Sequence, residues 1–464
     1  MPKAEIIGLG RSGIAAAKLL NKDGWNVTLV DSMTEGNLAS RTNARELQAS
    51  RQELAAIGII VKLGATITLS GNVPDLIVVS PGVPWDITPL LAAREQGIET
   101  IGEIELAWRY LKTVPWVGIT GTNGKTTTTA LIAAIFQQAG FKAPACGNIG
   151  NAACELALQN LSNPSNKLDW IIAELSSYQI EASQAITPRI GIWTTFTPDH
   201  LERHKTLENY YQIKASLLHR CQQQILNGDD RYLQTIAVKQ FQDVCWTTIA
   251  SEVNLGDRPK PSVYLQDSWI VAFGELICPI SLFKMPGQHN LQNLLMAVGA
   301  AKLAGIDQRA IANAIATFPG VPHRLEYICT YQGVKYINDS KATNYDAAQV
   351  GLASVDAPAI LIAGGEAKAG DDHLWIETIK AKVAVVLLIG QAAPIFAKTL
   401  SNHNYHQYEI VETLERAIAR SLELIDTIDV TTVLLSPACA SFDQYLSFEH
   451  RGDHFRELCL SIFR

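Results

Sequence analysis

Residues 117–131 read Val-Gly-Ile-Thr-Gly-Thr-Asn-Gly-Lys-Thr-Thr-Thr-Thr-Ala-Leu. The apolar run ending at Ile119 predicts a buried strand, Gly121 to Gly124 a tight turn, and the spacing of Ala130, Leu131, Ala134 and Ile135 a helix. Strand, glycine turn, Lys-Thr and helix form the layout of a phosphate-binding loop. Glycines let backbone N–H groups converge on an anion, and the helix N-terminus adds positive potential. Lys125 can reach terminal phosphates, and the Thr126 hydroxyl can ligate magnesium. The long form of this loop has four residues between its glycines, which would require glycine where Ile119 stands. The loop present is the short form Gly121-Thr122-Asn123-Gly124-Lys125-Thr126, followed by Thr127. An ordinary glycine turn has no need of Lys-Thr in its first helical turn.

Outward from this loop, 464 residues are too many for one ordinary core, and about three domains are expected. A hydrophobic content of 47% with 18% charged residues is that of a soluble globular protein. The net charge of −7 argues against a general nucleic-acid binder. No secretory leader or continuous transmembrane run is read, and the eight scattered cysteines form no Cys-x-x-Cys pair. Reduced thiols in a cytoplasmic protein without integral membrane contact are expected.

Residues 1–103 predict a Rossmann-like unit. A strand at 4–7 runs into Gly8-Leu9-Gly10-Arg11-Ser12-Gly13 and a helix, and a second strand at 27–30 ends at Asp31. Alone, this suggests a dinucleotide; more widely, it fits any nucleotide whose phosphates sit on that helix. A third strand, 76–79, leads into Ser80-Pro81-Gly82-Val83-Pro84, at the strand end where α/β sheets place ligands. Residues 104–320 hold the phosphate loop in a mostly parallel sheet, with Glu174 and His200 beyond strand ends and Lys214 on an amphipathic helix over 207–218. The stretch 262–280 alternates as antiparallel strands. Residues 321–464 predict a second Rossmann-like unit, with Lys341, Thr343, Lys368 and Ser441 after strands, suited to a carboxylate substrate. The plain reading of Lys214 is a solvated surface lysine, and of Glu174 a solvated strand-end carboxylate.

Together these motifs resemble the Mur ligases, over essentially the whole chain and in order. The matching stretches are Thr-Gly-Thr-Asn-Gly-Lys-Thr-Thr at 120–127, Gly-Asn-Ile-Gly at 147–150, Glu-Leu-Ser-Ser-Tyr-Gln at 174–179 and Asp-His-Leu-Glu-Arg-His at 199–204. His-Asn at 289–290, Asn-Asp-Ser-Lys-Ala-Thr-Asn at 338–344 and Ser-Pro-Ala-Cys-Ala-Ser-Phe-Asp-Gln at 436–444 complete the set. The last two, with Gly-Leu-Gly-Arg-Ser-Gly at 8–13, are most similar to the branch that adds D-glutamate to UDP-N-acetylmuramoyl-L-alanine.

The resemblance implies an ATP- and Mg²⁺-dependent amide ligase of peptidoglycan synthesis that works through an acyl phosphate, in a cytoplasmic monomer. It implies ATP contacts from Gly121 to Thr127 and from Asn290, Asn293, Arg324 and Asp339. Thr126, Glu174, His200 and Lys214 are implied at the metal, with Lys214 carbamylated, and Lys125, His200 and Lys214 in catalysis. Arg11, Ser12, Asp31, Ser80, Gly82, Asn148, Ser176 and Gln179 are implied for the UDP substrate, and Thr343, Lys368, Ser441 and Phe448 for D-glutamate. Ser32-Met33 departs from the Thr-Arg often found after the acidic residue. Another Mur-type or folylpolyglutamate-type ligase is the nearest alternative; a nicotinamide-dependent dehydrogenase or a non-catalytic nucleotide switch leaves most of these motifs unused.

Overall fold

The computed structural model describes residues 1–39, 44–67, 69, 73–163, 167–250, 260–367 and 370–462. The chain divides into two compact units, residues 1–283 with 292–318 and residues 284–291 with 319–464.

The first unit carries two sheets. In one, β1 (Lys3–Ile7), β2 (Asn26–Asp31), β3 (Ile60–Leu63), β4 (Leu76–Val79) and β5 (Glu99–Gly102) pair in the order β3-β2-β1-β4-β5, all parallel. All four residues of β4 are buried, as expected of a parallel strand covered on both faces. The glycine fingerprint has a packing reason: a Cβ on Gly13 would lie 2.0 Å from the Gly8 carbonyl oxygen.

The other sheet comprises β6 (Trp116–Thr120), β7 (Ala145–Gly147), β8 (Ile171–Glu174), β9 (Ile190–Trp193), β10 (Gln223–Asn227), β11 (Cys245–Thr248), β12 (Val263–Gln266), β13 (Trp269–Ala272) and β14 (Glu275–Pro279). Its order is β14-β13-β12-β11-β10-β9-β6-β8-β7. It is parallel from β7 to β12; β12, β13 and β14 pair antiparallel, as the alternation over 262–280 predicts. β6 lies between β8 and β9, so its carboxyl end is flanked by theirs. The helices Arg11–Lys22 and Ala153–Ser162 pack together and join the two sheets into one apolar core.

In the second unit β15 (Glu326–Tyr331), β16 (Val334–Asn338), β17 (Ala359–Gly364), β18 (Val383–Ile389), β19 (Tyr408–Glu412) and β20 (Thr432–Leu435) pair in the order β15-β16-β20-β17-β18-β19. Only β15–β16 is antiparallel. Buried side chains on both faces form two clusters around Trp375 and Phe396 and around Tyr336 and Phe455. All eight cysteines are buried and reduced.

Candidate active site

The phosphate loop leaves β6 at Thr120. Gly121 and Gly124 have φ of 149° and 84°, backbone that favours glycine. A Cβ on Gly121 would lie 2.0 Å from Thr194 Oγ1, and one on Gly124 would lie 2.5 Å from Asn293 Oδ1. The loop is stitched to the end of β9. Thr122 N–H donates to the Thr195 carbonyl (2.9 Å), Asn123 N–H to Thr195 Oγ1 (2.9 Å), and Thr194 Oγ1 to the Asn123 carbonyl. The helix Lys125–Gln138 starts from Gly124 with no capping side chain and no acidic residue in its first turn. Its N-terminal donors and positive potential are thus left to an anion. Lys125 Nζ donates to the carbonyls of Gly121 (2.9 Å) and Thr122 (2.7 Å), which holds the cation over the loop. Thr126 and Thr127 are buried in the first turn, and Asn293 accepts from Thr128 Oγ1 (3.2 Å).

Glu174 closes β8 beside Ile119 of β6. It is buried, not solvated: Oε1 accepts from Asn148 Nδ2 at 2.8 Å, and Oε2 has no partner among the described residues. Lys214 also corrects its plain reading. It is 1% exposed on the helix Leu207–His219, and its Nζ donates to the Gly121 carbonyl (2.9 Å) and Thr120 Oγ1 (3.4 Å) and sits 4.6 Å from the Tyr210 ring centroid. Burial, and then the charge of Lys125, push its pKa well below the ordinary lysine value; Asp199 pulls weakly the other way. His200, at φ 54°, faces the carboxylates of Asp199 (3.5 Å) and Glu202 (3.7 Å), and no hydrogen bond joins it to Glu174 or Lys214.

The donors suit magnesium. The unpartnered, buried Glu174 Oε2 and the Thr126 hydroxyl are hard oxygens at the end of the phosphate-loop sheet. No three His, Cys, Asp or Glu side chains group as a metal site among the described residues. An ion held here would therefore draw on phosphates and water as well as on these oxygens, the usual habit of magnesium.

A cleft of about 370 Å³ lies beside this strand end. It is lined by Ser80, Gly82, Asn148, Ser176 and Gln179, five of the residues expected at the UDP substrate, and also by Glu103, Tyr178, Glu181 and Arg203. Ser176 and Gln179 cap the helix Ser177–Glu181 reciprocally, Ser176 N–H donating to Gln179 Oε1 (2.9 Å) and Gln179 N–H to Ser176 Oγ (3.3 Å). Asp31 lies apart, in a smaller pocket with Gly8, Ser32, Thr66 and Ile87. Its carboxylate accepts from the backbone N–H of Leu9 (2.7 Å) and Met33 (2.8 Å), and Met33 is buried in the core. Ser12 is half-buried in the first helical turn, while Arg11 is exposed and donates to the Gly150 carbonyl at 2.8 Å.

In the second unit, Asp339 sits buried just past β16. Its carboxylate accepts from Ser436 Oγ (2.8 Å) and Leu325 N–H (3.3 Å), and burial pushes its pKa up to about 7 against the pull of Ser436 and Arg324. Asn290 donates to the Pro286 carbonyl (2.6 Å), and its buried Oδ1 has no partner among the described residues. Ser441 is buried, with no partner for its Oγ among the described residues; Thr343 is half-buried, and the Phe448 ring lies 5.2 Å from Lys341 Nζ. Lys368 lies outside the described residues.

Three family models match in order along the chain: the MurD-like N-terminal domain of Mur ligases over residues 2–102, the Mur ligase middle domain over 119–301, and the Mur ligase glutamate ligase domain over 323–439. A UDP-N-acetylmuramoylalanine--D-glutamate ligase of Gloeothece citriformis is 66% identical over 463 residues, with the whole of both chains covered. This chain belongs to the Mur ligase family. Relatives of the same name from Microcystis aeruginosa and Synechocystis are 65% and 59% identical, again with full coverage of both chains. Among solved structures, UDP-N-acetylmuramate-alanine ligase MurC of Thermotoga maritima shares the fold at 17% identity, with a TM-score of 0.60 over all of both chains.

Several polar residues of this Mur ligase went unread in the sequence. Thr194 and Thr195, which brace the phosphate loop, follow β9, and no motif quoted from the sequence assigns either hydroxyl a task. Arg203 lies inside the quoted 199–204 stretch and ties the cleft wall together, pairing with Glu181 at 2.8 Å and Asp86 at 3.3 Å. Arg451 is buried and donates to Ser340 Oγ (3.0 Å) and to the carbonyls of Ser340 (2.8 Å) and Cys439 (3.1 Å), joining two strand-end loops. No local pattern marks a lone arginine in an amphipathic helix.

Proposed function

We propose that this chain adds D-glutamate to UDP-N-acetylmuramoyl-L-alanine at the expense of ATP, a step of peptidoglycan synthesis, as a monomer in the cytoplasm. The observation that carries the reading is Glu174. Through Asn148 it touches the cleft, and through its strand it adjoins the phosphate loop, so a cleft-bound acceptor and a loop-bound triphosphate meet at one strand end. The full-length identity to D-glutamate ligases supports the choice of amino acid.

In this mechanism the backbone N–H groups of residues 121–127 hold the triphosphate and Lys125 neutralises its terminal phosphate. Ser80, Gly82, Asn148, Ser176 and Gln179 position the acceptor, while Arg11, Ser12 and Asp31 hold its UDP end. The acceptor carboxylate attacks the terminal phosphate, giving an acyl phosphate and ADP. The amine of D-glutamate, held by Thr343, Lys368, Ser441 and Phe448, then attacks the acyl carbon and expels phosphate. Asn290, Asn293, Arg324 and Asp339 serve the nucleotide. Magnesium would be held by Thr126, Glu174, His200 and Lys214, and supplies charge neutralisation on the phosphates. Lys214 would do this as a carbamate. Carbamylation requires a neutral amine, which burial favours, and it replaces a cation with two hard oxygens.

ADP release, measured with UDP-N-acetylmuramoyl-L-alanine and a panel of amino acids, tests the reading. D-glutamate should support turnover and L-glutamate, L-lysine and diaminopimelate should not. Turnover with one of the others alone would move the chain to another branch, and none with any would end the ligase assignment.

A further inference from the structure

Trp85 stands in the loop between β4 and the helix Thr88–Glu95, and its side chain lines the cleft together with Ser80 and Gly82. Arg94, on that helix, holds it twice. The guanidinium lies over the indole at 4.5 Å from the ring centroid, and Nη2 donates to the Trp85 carbonyl at 2.9 Å. Arg94 does not itself line the cleft, so one ring face is taken by the cation and the rest of the half-buried ring is left to the cleft. The next residue, Asp86, is tied to Arg203 at 3.3 Å, on the short helix Leu201–His204 that follows β9. The indole is thus held in place from both sides, which lowers the ordering cost of any contact it makes with a ligand.

Charge and position say what the ring meets. Arg94 and Arg203 are matched by Asp86 and Glu181, and Arg203 reaches Glu181 at 2.8 Å. Two cations set against two carboxylates leave this part of the wall without net charge, which suits a neutral group better than a diphosphate. Val83, two residues before Trp85, lines both the cleft and the smaller pocket that holds Asp31. The cleft also reaches Asn148, which is bonded to Glu174 beside the phosphate loop. Trp85 therefore lies between the pocket read as the UDP end and the strand end where the carboxylate reacts, the stretch that the sugar of the acceptor must span. A pyranose presents C–H groups on its faces, and an aromatic face, apolar and weakly negative, accepts them.

Resting on the acceptor reading of this cleft, we propose that Trp85 is a binding residue for the N-acetylmuramoyl sugar, packing the side of its indole that meets the cleft against the C–H groups of the pyranose. The sugar ring does not change as the carboxylate is phosphorylated, so this contact serves acceptor affinity rather than the rate of the chemical step.

Saturation-transfer NMR and titration calorimetry test this on the whole chain, with UDP-N-acetylmuramoyl-L-alanine and with UDP as separate ligands. In wild type, saturating the aromatic protons of the protein should transfer to the pyranose protons of the acceptor, and in Trp85→Leu that transfer should fall. Trp85→Leu should weaken acceptor binding roughly tenfold, the scale of one aromatic contact, and bind UDP as wild type does. Trp85→Phe, which keeps a ring, should recover most of the loss. The KM for the acceptor should rise in step with the weakened binding, with the loss in KM rather than kcat. Equal weakening of UDP and acceptor would put the indole on the uracil and overturn the inference, and so would unchanged acceptor affinity in Trp85→Leu. Absence of transfer to the pyranose protons in wild type overturns it whether or not either variant folds. Failure of wild type to bind the acceptor at all overturns the acceptor reading and this inference together.

Discussion

Replacing Lys214 by Met removes a buried amine while keeping most of its volume. The consequences can be worked from the structure. Wild-type Lys214 is held with a depressed pKa, so in free protein without CO₂ the amine is neutral when folded and charged when unfolded over a window reaching up to about 10.4. The unfolded state then binds more protons. Stability is penalised at lower pH and recovers as pH rises, by up to about 1.4 kcal/mol per pH unit, until both states are neutral. Met has no proton to exchange. Against this, the Gly121 carbonyl loses the donor at 2.9 Å, a cost of roughly 1–3 kcal/mol if nothing replaces it. Urea unfolding of both proteins in CO₂-free buffer from pH 7 to 10 reads these terms. The wild-type-minus-variant stability should climb with pH, and added bicarbonate should raise wild type alone. Turnover in the variant should fall at least roughly 10²-fold. A flat difference would mean that the amine stays charged when folded, which removes the basis for carbamylation. Full turnover in Lys214→Met would remove Lys214 from the mechanism.

Lys125→Ala should fold and bind the acceptor but lose roughly 10²- to 10³-fold in turnover, read from steady-state kcat. Gly124→Ala forces a side chain into a left-handed position and against Asn293; a stability loss of at least about 1–2 kcal/mol and a raised KM for ATP should appear together. Ser441→Ala removes a hydroxyl with no partner among the described residues, so the melting temperature should hold. KM for D-glutamate should meanwhile rise roughly ten- to hundredfold, the worth of a hydrogen bond to a carboxylate.

Much of this was legible in the chain because local patterns carried it. The fully apolar run at 76–79 places β4 with the bounds the structure shows, the alternation over 262–280 finds the antiparallel pairing of β12, β13 and β14, and Gly121 and Gly124 of the phosphate loop both take a positive φ. Burial of long polar side chains was not legible. Lys214 and Glu174 read as solvated because amphipathic spacing says which face turns inward but not what lies beneath it; Tyr210 one turn before Lys214 and Ile119 beside Glu174 decide the matter. Contacts between distant segments were also hidden. The Asn148–Glu174 bond joins two motifs whose spacing in sequence says nothing of their distance in space, and the Glu103–Cys154 bond rests on a residue without any motif.

The central claim is that the acceptor carboxylate takes the terminal phosphate before the amide forms. The direct measurement uses UDP-N-acetylmuramoyl-L-alanine labelled with heavy oxygen in its alanine carboxylate, with ATP and D-glutamate, and mass analysis of the released phosphate. Attack through an acyl phosphate predicts one labelled oxygen in each phosphate and one in the peptide product. Phosphate free of label, with the oxygen lost from the carboxylate recovered in water, would contradict the account.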